Sequence, residues 1–279
     1  MRLPILVLLL AIGALVSAQQ KPAITPADYG KWESLGPGEL SPDGKWLAHV
    51  IQRSSRDDEL RLVGLAGGKN HVAAFGANPV FSDDSKWLAY SIGVSEKEEE
   101  KLKKAKKPVR QKLGLVNLAT GATTVAENVS AFSFSKGGAY LAMHHYPPEK
   151  KEEPAPEGGS PPASQEPVGA TLVVRNLASG ADSTFGSVSR YAWQDRGAVL
   201  AMTINAEGKA GNGLQVFDPS TGVLRVLDSA AATYTGLAWR KEANDLVVLR
   251  SKSDEQHEDE TYVVLAWKNL AEKRAYDPT

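Results

Sequence analysis

Leu40-Ser41-Pro42-Asp43-Gly44-Lys45-Trp46-Leu47-Ala48 decides how this chain is read, because it comes back. It returns as Phe81-Ser82-Asp83-Asp84-Ser85-Lys86-Trp87-Leu88-Ala89 and as Phe134-Ser135-Lys136-Gly137-Gly138-Ala139-Tyr140-Leu141-Ala142. More divergent copies run Trp193-Gln194-Asp195-Arg196-Gly197-Ala198-Val199-Leu200-Ala201 and Trp239-Arg240-Lys241-Glu242-Ala243-Asn244-Asp245-Leu246-Val247. In each copy an apolar strand ends in a large side chain and a polar turn follows. A second strand then opens on a Leu-Ala or Leu-Val pair. Asp-Gly and Gly-Gly supply the positive φ that tight hairpin turns need. Each copy therefore reads as a β-hairpin.

A second motif follows each copy of the first four. It appears as Leu60 to Gly68, Leu115-Val116-Asn117-Leu118-Ala119-Thr120-Gly121, Val173 to Gly180 and Val216-Phe217-Asp218-Pro219-Ser220-Thr221-Gly222. This is a strand, a turn closed by glycine and a further short strand such as Thr123 to Ala126. Two hairpins make four antiparallel strands per repeat. Four strands at a period of about 40–45 residues are the signature of a β-propeller blade. The repeats span residues 39–279 and give four blades and the start of a fifth. The fifth comprises Asp245 to Leu249, Thr261 to Leu265 and at most Ala271 to Tyr276. Propellers protect their strand edges by closing the ring. Residues 19–38 read as a lead-in with no strand to complete the fifth blade, so the expectation is an incomplete ring and a piece of a longer protein. Such an arc is expected to be marginally stable or aggregation-prone through its exposed edges.

Two insertions stretch the later repeats. Residues 96–112 are a run of Glu, Lys and Arg, acidic in front and basic behind, expected as a short exposed helix or a disordered stretch. Residues 147–167 hold seven of the 16 prolines among Glu, Lys, Gly and Ser, a composition that cannot bury apolar surface. They are expected as a disordered loop between the second and third strands of a blade.

The N-terminus has the layout of a secretory signal peptide. Arg2 is followed by an apolar run from Leu3 to Val16, and Val16-Ser17-Ala18 places small residues for cleavage after Ala18. Residues 1–18 are thus expected to direct export to the periplasm or beyond, with no membrane attachment after cleavage. The 279 residues carry 32 Lys plus Arg against 33 Asp plus Glu, without the basic excess of a nucleic-acid binder. There is no cysteine, which excludes disulfides, thiol nucleophiles and Cys-ligated zinc.

No chemistry-bearing motif stands out, and no catalytic, cofactor-binding or metal site is assigned. A Gly-x-Ser-x-Gly elbow is missing, and Gly158-Gly159-Ser160-Pro161-Pro162 lies in the proline-rich loop. The histidines are His49, His71, His144, His145 and His257. His144 and His145 point to opposite faces if they lie on one strand. Ser253 to Glu260 is acidic but lacks the spacing of a calcium loop. Trp46, Trp87, Trp193 and Trp239 are read as repeat-equivalent packing residues between blades. A propeller glycosidase or lyase would need clustered carboxylates or a His/Tyr pair on the central channel.

The Ser-Pro-Asp-Gly-Lys-x-Leu-Ala repeats resemble the WD40-like propeller repeats of TolB and of the prolyl oligopeptidase (S9) family. The stretch Asp28-Tyr29-Gly30-Lys31-Trp32-Glu33-Ser34-Leu35-Gly36 leading into Leu40 resembles the start of exported bacterial S9 peptidases. That resemblance implies a substrate-gating propeller whose partner is a C-terminal α/β-hydrolase domain in a longer parent. It also implies that this stretch of chain has no triad residue and no catalytic activity of its own. The alternative is a stand-alone TolB-like propeller that binds a periplasmic protein or peptide.

Overall fold

The computed structural model describes residues 23–67, 70–148, 169–252 and 261–270. The signal peptide, most of the proline-rich loop, the acidic stretch 253–260 with His257, and Ala271 to Tyr276 lie outside the described residues. Within them the chain folds as consecutive β-propeller blades, each an antiparallel meander of neighbouring strands. The first blade is β1 (Glu33–Leu40), β2 (Trp46–Arg53), β3 (Glu59–Gly64) and β4 (Asn70–Ala74). The second is β5 (Gly76–Phe81), β6 (Trp87–Ile92), β7 (Lys112–Asn117) and β8 (Thr123–Ala126).

The next sheet has seven strands because two blades share one. β9 (Val129–Phe134), β10 (Tyr140–His145) and β11 (Ala170–Asn176) are followed by the long β12 (Asp182–Trp193). The first part of β12 pairs with β11 through Asp182 to Phe185 and so is the outer strand of the third blade. Its second part pairs with β13 (Leu200–Ile204) from Val188 to Trp193 and is the inner strand of the fourth. Between them Ser187 takes a φ of 55°, and the register shifts on both sides. β14 (Gly213–Asp218) and β15 (Val223–Ser229) complete the fourth blade. The fifth shows β16 (Tyr234–Trp239), β17 (Leu246–Lys252) and β18 (Thr261–Trp267). β1 begins at Glu33, inside the stretch read from sequence as a lead-in, and it is the inner strand of the first blade rather than a strand of the last.

The motif residues explain the turns. Ser41 Oγ donates to Asp43 Oδ1 at 2.7 Å and accepts from Trp46 N–H at 2.9 Å. Ser82 makes the same two bonds at 2.7 and 3.0 Å, and Ser135 accepts from Tyr140 N–H at 3.1 Å. All three serines are buried, so this bonding is what lets a polar residue stand there. In the outer hairpins Asn117 Oδ1 accepts from the N–H groups of Ala119 and Thr120, and Asn176 Oδ1 from those of Ala178 and Ser179. These are Asx turns, as is the one in which Asp218 Oδ1 accepts from Ser220 N–H, and the glycines that close the three, Gly121, Gly180 and Gly222, all have φ between 72° and 79°.

The core lies between blades. Four buried clusters correspond to the four junctions of successive blades. The leucine of the repeated Leu-Ala pair is the constant member. Leu88, Leu141, Leu200 and Leu246 are at most 1% exposed. The neighbouring Ala faces the following blade, where a small side chain lets the sheets approach. The tryptophans do pack between blades, but at two places rather than one. Trp46 and Trp87 open second strands, whereas Trp193 and Trp239 close first strands. Only the latter pair bridges inner strands: Trp193 Nε1–H donates to Ser133 O at 3.1 Å and Trp239 Nε1–H to Ala192 O at 3.0 Å. The sequence copies hide this because both motif positions accept a large aromatic.

The charged insertion forms α1 (Glu96–Lys104), capped by Ser95 Oγ and exposed along its length. Arg56 of the first blade holds it through Glu96 at 3.1 Å and Glu99 at 3.4 Å.

Gly114 of β7 is a packing requirement. A Cβ there would lie 2.3 Å from Cζ of Tyr90, whose buried ring is fixed between the first two blades. Gly114→Ala is expected to destabilise by about 1–3 kcal/mol through overpacking. Pairing it with Tyr90→Leu is expected to recover part of that loss relative to the sum of the two single changes, as read by urea denaturation.

Candidate functional site

The hairpin turns between first and second strands line up along one end of the arc and hold one another. Asp83 Oδ2 accepts from Gly137 N–H of the next blade at 3.1 Å and pairs with Lys136 at 3.0 Å. These two bonds, the backbone one first, hold the Asp83 carboxyl below its ordinary range. Asp195 repeats the arrangement, accepting from Glu242 N–H at 2.8 Å. Gln194 donates through Nε2 to Asn244 at the same junction. In the first turn Pro42 stands where Asp83 and Asp195 stand, and Asp43 N–H instead donates to Ser85 Oγ at 3.0 Å. At three of the four junctions the turns at this end thus bond to one another.

The opposite end carries the connections between second and third strands. The charged insertion, the proline-rich segment and the acidic stretch all leave the described strands there, after β6, β10 and β17 respectively. Arg110 stacks over the Tyr146 ring at 5.8 Å and donates to Pro147 O at 3.2 Å, tying two of these connections together.

Among the described residues two His/Tyr pairs are in contact, and each spans a blade junction. His144 Nε2 lies 2.8 Å from Val188 O, so that nitrogen carries the proton and donates. Its ring meets Tyr191 edge-on at 5.8 Å. Burial pushes the Tyr191 hydroxyl up, and burial followed by the charge of His144 pushes His145 down. His71 Nε2 lies 3.2 Å from Tyr90 Oη. His71 is on β4, the outermost strand of its blade, and His144 is on a second strand, so neither histidine lies on an inner strand. Among the described residues no group of three or more His, Asp or Glu is placed to hold a metal ion. No helix among them is long and apolar enough to cross a membrane.

A cleft of about 260 Å³ opens beside His71, between the outer part of the first blade and the outer hairpin of the second. Trp46, Leu62, Val116 and Leu118 supply its apolar walls, and Asn70, His71 and Asn117 its polar groups. Nothing in the sequence marks this cleft, because its residues come from two repeats and only their spatial pairing makes a concavity.

Among the described residues, the outer sheet faces of the first and fifth blades carry exposed apolar side chains. On the first blade, Leu40, Leu47 and Val63 form one cross-strand row, and Leu35 stands opposite Ile51, which is itself buried. Leu35 is 74% exposed, and Leu47 is half-buried although its four equivalents are fully covered. Beside them Arg53 pairs with Glu33 at 2.7 Å and Glu59 at 3.0 Å, and Arg61 pairs with Glu59 at 2.6 Å. On the fifth blade, Val247, Leu249, Val264 and Tyr262 share the face turned away from the fourth blade. Val264 is 57% and Tyr262 46% exposed.

No family model and no curated protein matches this chain. Solved structures similar to it include the β-propeller domain of the trilobed protease from Pyrococcus furiosus, with a TM-score of 0.43 and 12% identity over 86% of this chain and 70% of that one. Others are an oligogalacturonate lyase in complex with manganese (TM-score 0.46, 19% identity, 84% of this chain, 61% of that one) and TolB from Acinetobacter baumannii (0.35, 15%, 85% and 52%). This chain thus spans less than two thirds of the lyase and TolB chains. At these identities and TM-scores the likeness assigns no activity.

Burial favours the neutral form of His71 and lowers its pKa. The folded state therefore binds fewer protons than the unfolded chain just below about pH 6.5, the ordinary imidazole value. This contribution is complete above that pH and is lost as pH falls through the lowered folded value. His71→Gln keeps a partner for Tyr90 without titrating. Its Tm is expected to fall less than that of the wild type between pH 7.5 and 5.5; parallel curves would contradict the assignment.

Proposed function

We propose that this chain is a non-catalytic β-propeller module of an exported S9-type serine peptidase, in which further sheets cover its two end faces and the propeller controls access to a hydrolase domain. The observation that carries this reading is the pair of end faces. Leu47 stands where Leu88, Leu141, Leu200 and Leu246 stand, and those four form the seam of every junction. Val247 likewise stands where Ala48, Ala89, Ala142 and Ala201 meet the following blade. Both end faces thus keep the side chains of a blade junction, and large apolar groups left in water over such an area favour being covered. The export signal read in residues 1–18 supports a location outside the cytoplasm under this reading.

The module works by shape. Blades packed through apolar seams and locked by the bonded turns form a rigid wall, while the connections at the opposite end can vary without disturbing it. Under this reading the variable end faces the hydrolase and its substrates.

Two tests follow. The purified chain 19–279 is expected to hydrolyse neither prolyl nor N-acylated peptide p-nitroanilides, and the reading frame beyond the Thr279 codon is expected to encode further blades and a Gly-x-Ser-x-Gly elbow. Turnover by the chain itself overturns the non-catalytic reading. A stop directly after Thr279 overturns the peptidase and leaves a periplasmic binding propeller. For the chain alone, Leu88→Ala is expected to cost about 2–5 kcal/mol and Leu47→Ala about half as much or less, as read by chemical denaturation.

A further inference from the structure

The repeat itself indicates what the cleft beside His71 accepts. On the outermost strand of each complete blade one residue pairs with the same position of the third strand: His71 with Leu62, Thr124 with Leu115, Ser183 with Val174 and Arg225 with Val216. These four positions are structural equivalents. The next blade offers an equivalent turn residue in Leu118, Leu177 and Leu270, whose N–H groups donate to Lys86 O, Ala139 O and Asn244 O at 2.9–3.0 Å. All three leucines are buried.

At the junction of the fourth and fifth blades this place is filled from within the chain. Arg225 reaches across and donates from Nη2 to Leu270 O at 2.9 Å. At the junction of the first and second blades the equivalent residue is His71. It is shorter and turns to Tyr90, and the space next to Leu118 stays open as the cleft. Its walls suit an alkyl stem, and its polar groups are amides, an imidazole and turn backbone. None of the described residues that line it is a lysine or arginine. The lowered pKa of His71 keeps that ring uncharged at neutral pH.

We propose that this cleft binds the side chain of an arginine presented by a peptide, its guanidinium donating to the Leu118 turn as Arg225 does to the Leu270 turn. A guanidinium keeps its charge at every working pH and offers five donors in a planar fork, so one side chain can satisfy a turn carbonyl and a neighbouring amide oxygen together. The site belongs to the chain as it stands and does not depend on the presence of a hydrolase domain.

The test titrates the full mature chain with Ac-Gly-Arg-Gly-NH2, following the Trp46 indole N–H and the His71 ring by NMR. Saturable shifts at both are expected, with binding at least tenfold weaker when citrulline or norleucine replaces the arginine. His71→Arg is expected to fill the cleft from within and weaken peptide binding at least tenfold, with the other indole signals kept as evidence of an intact fold. Equal binding of the arginine and citrulline peptides, or no saturable shift at Trp46, overturns the proposal. So does undiminished binding by a folded His71→Arg variant; should that variant not fold, the wild-type comparison of the peptides decides.

Discussion

The seam between adjacent sheets is the contact on which everything else in this molecule depends. A four-stranded sheet whose two faces are both apolar is insoluble on its own and stable only when each face meets another sheet. Here each interior blade sets a leucine against the preceding blade and an alanine towards the following one. Large meets small at each of the four junctions described. The polar features are consequences of holding this register. Buried serines close the turns, aspartates clasp the turn of the next blade, and tryptophan N–H groups cross to the neighbouring inner strand.

That dependence explains which parts of the chain are free to change. The ends of the sheets that carry the bonded turns are constrained from two blades at once. The opposite ends are also held across blades, by contacts such as those of Arg56 with α1 and of Arg110 with Tyr146 and Pro147, but the charged helix enters there with no residue buried in a seam. It also explains why the ends of the arc matter more than their few residues suggest. A first or last blade has one satisfied face and one bare one, and the bare faces of β2 and β17 retain the residues of a seam.

Much of this was legible before any coordinates. The Leu-Ala pairs and the Asp-Gly or Asn-x-x-x-Gly turns report local geometry, and four strands per repeat follow from them directly. The first part of β1 was read as lead-in because Gly36-Pro37-Gly38 interrupts its alternation; in the structure the register shifts at that point, which is where proline and glycine are tolerated in a strand. The two tryptophan positions merged because adjacent motif sites both take aromatics. The cleft was invisible for another reason. Its existence depends on His71 being short and turning inward where Arg225 reaches outward, and that contrast appears only when the outermost strands are aligned by pairing rather than by sequence.

Amide hydrogen exchange resolved by residue tests the central claim, that the blades are stabilised by their seams and the arc has two bare faces. The account predicts strongest protection in β6, β10 and β13, which are covered on both sides, and markedly faster exchange in β2 and β18. Equal protection of β2, β18 and the interior strands in the monomeric chain would mean that the end faces are covered, and would contradict the open arc.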